Sequence, residues 1–244
     1  MKYNRLFITG DTHGNHDIAK LYNLEKKSDL DITKDDVVLI CGDWGAIWND
    51  NDINGELINR YKKFPWTTIV VLGNYENYNA IFNLPKEDAG IGADVYVVEK
   101  GNRDILILQR GEVYQFCNET VWSCGGGVSI DKQYRIINKS WWPQEYLSAN
   151  EKSRGIKTLE QNIDKITLIA THTAPEKLFQ KNLFMQLCAN KIEDEVGIYL
   201  NDIYEKILTL NKPISWFYGH YHNENHYKNK NVSFRMLYNT IVMK

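Results

Sequence analysis

Three apolar runs in the first third of the chain end alike, and this repetition constrains the fold more than any other feature. Leu6-Phe7-Ile8-Thr9 runs into Gly10-Asp11-Thr12-His13-Gly14, Val37-Val38-Leu39-Ile40-Cys41 into Gly42-Asp43-Trp44-Gly45, and Thr68-Ile69-Val70-Val71-Leu72 into Gly73-Asn74-Tyr75-Glu76. The runs are apolar throughout instead of alternating, the mark of strands buried on both faces, as in a parallel sheet. Ile18, Leu21, Tyr22 and Leu24 are spaced for an amphipathic helix between residues 15 and 27, and a second helix is expected over 54–63, stopped by Pro65. Strand and helix alternation points to an α/β chain. In such sheets ligands gather beyond the carboxyl ends of the strands, where these polar residues stand.

The middle of the chain changes character. Short apolar runs at 95–98, 105–108, 113–116 and 121–124 with turn-like gaps read as hairpins. Gly125-Gly126-Gly127 and a polar, aromatic loop follow, and Pro143 is placed to open a helix reaching about Gln161, with Ser140 near its cap. Ile166–Ala170 is a further buried strand ending in Thr171-His172-Thr173. Short helices are expected over 176–190 and a longer one over 193–210. Trp216-Phe217-Tyr218 ends in Gly219-His220-Tyr221-His222, and residues 232–243 read as a last pair of strands. No repeat or linker divides the chain, which implies one domain over 1–244.

Collected by strand end, the polar residues are Asp11, His13, Asp43, Asn74, His172, His220 and His222. Four of the six histidines in the chain are among them, which scattered core histidines would not produce. Carboxylate, amide and imidazole in this mix suit two adjacent divalent transition metals. Two such ions can clamp a phosphoryl group and generate hydroxide near neutral pH.

The ordered series Gly10-Asp11-Thr12-His13, Gly42-Asp43, Gly73-Asn74-Tyr75-Glu76, His172 and Gly219-His220-Tyr221-His222 resembles the calcineurin-like metallophosphoesterases, and the loop from Asp131 to Arg135, Trp141-Trp142-Pro143 and His172-Thr173-Ala174-Pro175 resemble a bacterial or phage branch without an assigned substrate. The resemblance implies a four-layer αββα sandwich of two mixed β-sheets flanked by helices, with the middle hairpins in the second sheet. It implies two divalent ions (Mn²⁺, Fe or Zn²⁺), the first held by Asp11, His13 and His222, the second by Asn74, His172 and His220, with Asp43 bridging them. It implies hydrolysis of phosphate mono- or diesters, nucleotides among them, by a metal-bridging hydroxide. Asn74 and Arg135 are the expected substrate contacts, and Asp43 and Tyr75 the expected catalytic positions. One position departs from the family: its third block usually reads Gly-Asn-His-Glu, and Tyr75 replaces the histidine that serves as acid or phosphate contact. A phenol donates a hydrogen bond but carries no positive charge. The alternative reading is therefore a metal-binding domain of low activity that recognises a ligand or protein.

Several other residues take ordinary roles. His16 and His226 fill no ligand position, and Glu76 is expected to orient a ligand. Trp44, Trp141 and Trp142 are assigned to packing, and Lys132 to a solvated loop. Residues 125–127 lack the ending of a phosphate-binding P-loop. A net charge of −2 gives no extended nucleic-acid surface. No signal-peptide pattern or membrane-length apolar run is present, and Cys41, Cys117, Cys124 and Cys188 show no CxxC spacing. They are read as reduced thiols of a cytoplasmic protein.

Overall fold

A computed structural model describes residues 2–178 and 194–244. The three apolar runs form β1 (Leu6–Thr9), β2 (Val37–Cys41) and β3 (Thr67–Val71), parallel neighbours with Leu6 opposite Val37 and Val37 opposite Thr67. Every residue of the three strands is buried. The period-2 geometry of a strand explains how. Phe7, Val38, Ile40 and Val70 face α1 (Ala19–Glu25), α2 (Glu56–Lys63) and α3 (Tyr78–Phe82), joining Leu21, Ile58 and Ile81 in one apolar cluster. Ile8, Leu39, Ile69 and Val71 point the other way, into a cluster shared with a second sheet.

The first sheet has seven strands. β4 (Lys86–Glu87), β5 (Val95–Val97) and β6 (Ile105–Leu108) extend it on one side and β13 (Val242–Met243) closes the other, in the order β13-β1-β2-β3-β6-β5-β4. The second sheet has six strands. β7 (Glu112–Phe116), β8 (Glu119–Cys124), β9 (Leu168–Thr171), β10 (Ile214–Tyr218), β11 (Asn225–Asn229) and β12 (Val232–Met236) lie in the order β11-β12-β10-β9-β8-β7. Its outer face packs through Trp122, Ile169, Trp216 and Phe234 on Leu159 of α4 (Ala149–Asn162) and on Leu200, Ile203 and Ile207 of α5 (Glu195–Leu208). Helices, sheet, sheet and helices make the four-layer αββα arrangement, and both sheets are mixed.

Three expectations are corrected. The middle hairpins do not all join the second sheet: β5 pairs antiparallel with β6 and β6 parallel with β3, so only β7 and β8 cross over. Pro143 opens a separate 3-10 turn over Pro143–Glu145 instead of the helix. α4 begins later, where the Ser148 hydroxyl accepts the Glu151 N–H at 3.3 Å and the Glu151 carboxylate accepts the Ser148 N–H at 2.9 Å, a reciprocal capping pair. The helix then runs unbroken through Gly155. At the C-terminus, β11 pairs with β12 as a hairpin starting at Asn225, and the final strand β13 returns to the first sheet beside β1. The expected short helix over 176–190 falls mostly outside the described residues.

β9 and β10 are parallel, with Ile169 opposite Trp216, and they end at one rim of the second sheet. That rim meets the carboxyl ends of β1 and β2. Gly219 N–H donates to the His172 carbonyl at 2.9 Å, and the His172 ring reaches the Cys41 carbonyl at the end of β2.

Candidate metal centre

Each of the seven predicted ligands lies on a loop that leaves the carboxyl end of a buried strand. Tight turns are needed there, and four of these residues pay with left-handed backbone: His13 (φ 41°), Asp43 (φ 48°), His220 (φ 71°) and His222 (φ 48°). Such conformations cost free energy in residues with a Cβ and concentrate at functional sites. Hydrogen bonds hold them: Thr12 and His13 N–H groups donate to the Asp43 carbonyl at 2.9 and 2.8 Å. The glycine that precedes each motif is a matter of space. A Cβ on Gly42 would fall 2.1 Å from the His172 ring, and one on Gly219 would fall 2.2 Å from Asp11 Oδ1.

Asp43 stands at the centre. Its Oδ2 lies 3.1 Å from His13 Nε2 and its Oδ1 lies 3.1 Å from His172 Nε2. The Tyr75 N–H also donates to Oδ1, at 2.7 Å. Asn74 Oδ1 is 2.9 Å from His172 Nε2, and His220 Nδ1 is 3.2 Å from the same nitrogen. Asp11 is fully buried, accepts the His220 N–H at 3.0 Å, and places Oδ2 3.8 Å from His222 Nε2. Among the described residues, two groups bring ligand atoms within 4.8 Å of one another: Asp11 with His13 and His222, and Asp11 with Asp43 and His172. The first is the set the resemblance assigned to the first ion. The second shows Asp11 reaching both sides.

Two imidazoles have their orientation set from behind. His172 Nδ1 is 3.0 Å from the Cys41 carbonyl, which can only accept, so Nδ1 carries the proton and Nε2 is left facing the centre. His13 Nδ1 is 2.6 Å from Asp17 Oδ2, and its Nε2 likewise faces Asp43. Asn74 is turned by its amide: Nδ2 donates to Ser129 Oγ at 3.2 Å, and Ser129 donates in turn to buried Glu145 at 2.6 Å. The Asn74 carbonyl oxygen therefore faces the site.

The electrostatics follow from burial and from the charges these groups place on one another. Burial pushes the Asp43 pKa up, but the His172 and His13 charges outweigh it and hold Asp43 well below the carboxylate range. Burial, followed by the Asp43 charge, leaves Asp11 raised despite the opposing pull of His172. Burial works against the protonated forms of His13 and His172, yet Asp43 with Asp11 raises both to about 9. His220, desolvated and beside the His172 charge, is lowered to about 3. Two buried carboxylates thus draw positive charge into a cluster of neutral-type ligands. Oxygen and imidazole donors around two buried acids fit divalent transition metals.

Other predicted residues fall as follows. Tyr75 makes an edge contact with His13 at 5.2 Å and stacks on Trp48 at 4.4 Å. The Arg135 guanidinium lies 5.6 Å from the centre of the Tyr75 ring and pairs with Asp131 at 2.8 Å. Lys132 turns away to the Tyr146 hydroxyl. Glu76 accepts backbone N–H groups of Trp44 at 2.7 Å, Gly45 at 3.2 Å and Gly73 at 3.4 Å, and so ties the loops after β2 and β3 together. Burial, then the Asp43 charge, lifts its carboxyl to about 8. His16 is exposed and lines a groove with His13, Trp48, Asp52 and Tyr75, and His226 bonds Ser233 on the β11–β12 hairpin. Trp44 and Trp142 are buried, and Trp141 is partly so. Asp17, Lys20, Trp48, Ser129, Glu145 and Tyr238 support the site and were missed. Only Asp17, four residues past His13, carried a sequence signal.

The chain belongs to the calcineurin-like phosphoesterases, whose sequence profile matches residues 5–224. No curated protein matches it in sequence. Among solved structures, a Staphylococcus aureus protein provisionally named a 5′-nucleotidase, crystallised with alpha-ketoglutarate, superposes with a TM-score of 0.53 at 13% identity over 98% of this chain and 50% of its own. This chain thus spans half the length of that relative. Phosphopantetheinyl hydrolase from Mycobacterium tuberculosis gives a TM-score of 0.45 at 14% identity, covering 98% of this chain and 91% of its own.

Proposed function

We propose that the protein hydrolyses phosphate mono- or diesters at a centre of two divalent ions. The observation that carries the reading is Asp43, whose two oxygens each lie 3.1 Å from a different imidazole on opposite sides of one buried carboxylate. Asp11, His13 and His222 would hold one ion, Asn74, His172 and His220 the other, with Asp43 between them. Mn²⁺, Fe and Zn²⁺ all suit these donors. When bound, such ions polarise the phosphoryl group and lower the pKa of water.

The chain's own residues supply orientation. Cys41 and Asp17 hold the His172 and His13 rings, and Ser129 with Glu145 holds the Asn74 amide. Arg135, over the Tyr75 ring, would pair with a phosphate oxygen. The Tyr75 phenol, fixed against Trp48, donates a hydrogen bond toward the leaving oxygen. Buried free thiols at Cys41, Cys117 and Cys124 suit a reducing cytoplasm. Recognition without turnover is the second reading, favoured by Tyr75 in the place of a cationic acid. The test is an assay of Mn²⁺-saturated protein on p-nitrophenyl phosphate and bis-p-nitrophenyl phosphate. Hydrolysis abolished by chelator supports the enzyme. Metal uptake with no turnover on either ester supports recognition.

A further inference from the structure

The segment that follows β12 is pinned from two sides. The Glu224 carboxylate, just beyond the His220–His222 turn, accepts the N–H groups of Tyr238 at 3.0 Å, Asn239 at 2.6 Å and Thr240 at 2.8 Å, and the Thr240 hydroxyl at 2.7 Å. From the other side comes Lys20 of α1, a cation only 8% exposed. Its ammonium donates to the Asp11 carbonyl at 2.5 Å and to the Tyr238 carbonyl, and lies 5.3 Å from the Tyr238 ring centre. A buried ammonium is costly unless its donors are satisfied, so these contacts fix the backbone of residue 238 relative to Asp11.

From that backbone Tyr238 reaches both imidazoles of the Asp11–His13–His222 group. Its ring stacks on His222 with centroids 4.8 Å apart and planes 13° from parallel. Its hydroxyl is 3.1 Å from Asp17 Oδ1, and the other oxygen of Asp17 is 2.6 Å from His13 Nδ1. The His222 side chain is 51% exposed and makes an edge contact with His13 at 4.8 Å, and the stacked Tyr238 ring covers a face of it, which narrows its choice of rotamer.

We propose that Tyr238 is a positioning residue that clamps His13 and His222 in ligating orientation for the first ion, stacking on one and steering the other through Asp17. The inference rests on the two-ion reading above. It assigns Tyr238 no contact with substrate.

The test uses the full chain and Mn²⁺ alone. Tyr238→Leu removes ring and hydroxyl, and Tyr238→Phe keeps the ring. By titration calorimetry, Y238L is expected to lose about 10–100-fold in affinity for one of two ions and to leave the other unchanged. Y238F is expected to fall between Y238L and the native chain. Native affinity at both sites in Y238L overturns the proposal, and so does equal weakening of both, which marks a merely structural role. NMR of the metal-free protein gives an arm independent of metal. The upfield part of the ring-current shift of the His222 ring protons, which comes from the stacked Tyr238 face, should be lost in Y238L and persist in Y238F, and the His13 Nδ1 resonance should move in Y238F. A His13 Nδ1 resonance that stays put in Y238F overturns the clamp even if Y238L is too unstable to study. A native chain that takes up no Mn²⁺ defeats the two-ion reading, and the NMR arm still decides whether Tyr238 orients the histidines.

Discussion

Gly42→Ala tests the packing of the site at its tightest point. Gly42 has φ +86°, and an added Cβ would lie 2.1 Å from His172 Nδ1, 2.3 Å from Cγ and 2.6 Å from Cβ. Carbon contacts settle near 3.5 Å, so the ring has to retreat by about 1.3 Å. His172 is fully buried, and retreat breaks its bond to the Cys41 carbonyl. Left-handed backbone costs an alanine about 1–2 kcal/mol. The lost hydrogen bond adds about 1 kcal/mol. Forcing a buried ring aside in a packed core adds about 1–3 kcal/mol, so the variant should lose about 3–6 kcal/mol, against the roughly 5–15 kcal/mol of an ordinary domain. Gly101→Ala is the control, because φ is +79° there with nothing within 4 Å of the new Cβ. It should show the backbone cost alone. Guanidinium denaturation measures both variants, and calorimetry with Mn²⁺ should show G42A weakened at least about tenfold through the displaced ligand. If G42A behaves like G101A in both assays, His172 does not occupy the position described.

Three further outcomes are expected. Tyr75→His should raise kcat/KM on alkyl phosphate esters by up to about 10²-fold and on p-nitrophenyl esters far less, since only the poorer leaving group needs a proton; equal gains would show that residue 75 acts by positioning. Metal loading should release protons, because His13 and His172 are raised to about 9 without metal and must bind as neutral ligands. Apparent affinity should then climb from pH 6 to about 9 and level off, and calorimetry in buffers of different ionisation enthalpy should count about two protons at pH 7; no buffer dependence contradicts the raised values. Asp36 is buried, which raises its pKa, but Arg5 at 2.6 and 2.9 Å and the Thr33 N–H reverse the sign and leave it lowered. Its contribution is complete above the ordinary aspartate value and is lost as pH falls through the lower folded one, so Asp36→Asn should cost about 1.5–3 kcal/mol at pH 7 and progressively less below about pH 4.

The cluster of polar residues at the strand ends was legible in the sequence because those residues hang directly from buried strands. Continuous apolar runs mark β1, β2 and β3 since both faces of that sheet are covered, and the ligand follows within a few residues of each run. Sheet membership was less legible. β6 and β7 are separated by residues 109–111 alone yet lie in different sheets, and a short apolar run carries no mark of the sheet it will join. Pro143 gave a real signal for a helical start but could not tell a single 3-10 turn from the helix that Ser148 and Glu151 cap. The supporting shell was nearly invisible. Tyr238 lies more than 200 residues from His13, and nothing in the stretch read as a last pair of strands marks it until the fold brings Lys20, Glu224 and Asp17 to it.

Metal stoichiometry tests the central claim most directly. Protein purified without chelator and saturated with Mn²⁺ should contain two ions per chain by elemental analysis. Asp43→Asn should lower the occupancy of both, because the two oxygens of that one carboxylate face opposite sides of the centre. A native chain holding one ion or none, or an Asp43→Asn chain that still holds two, would contradict the account.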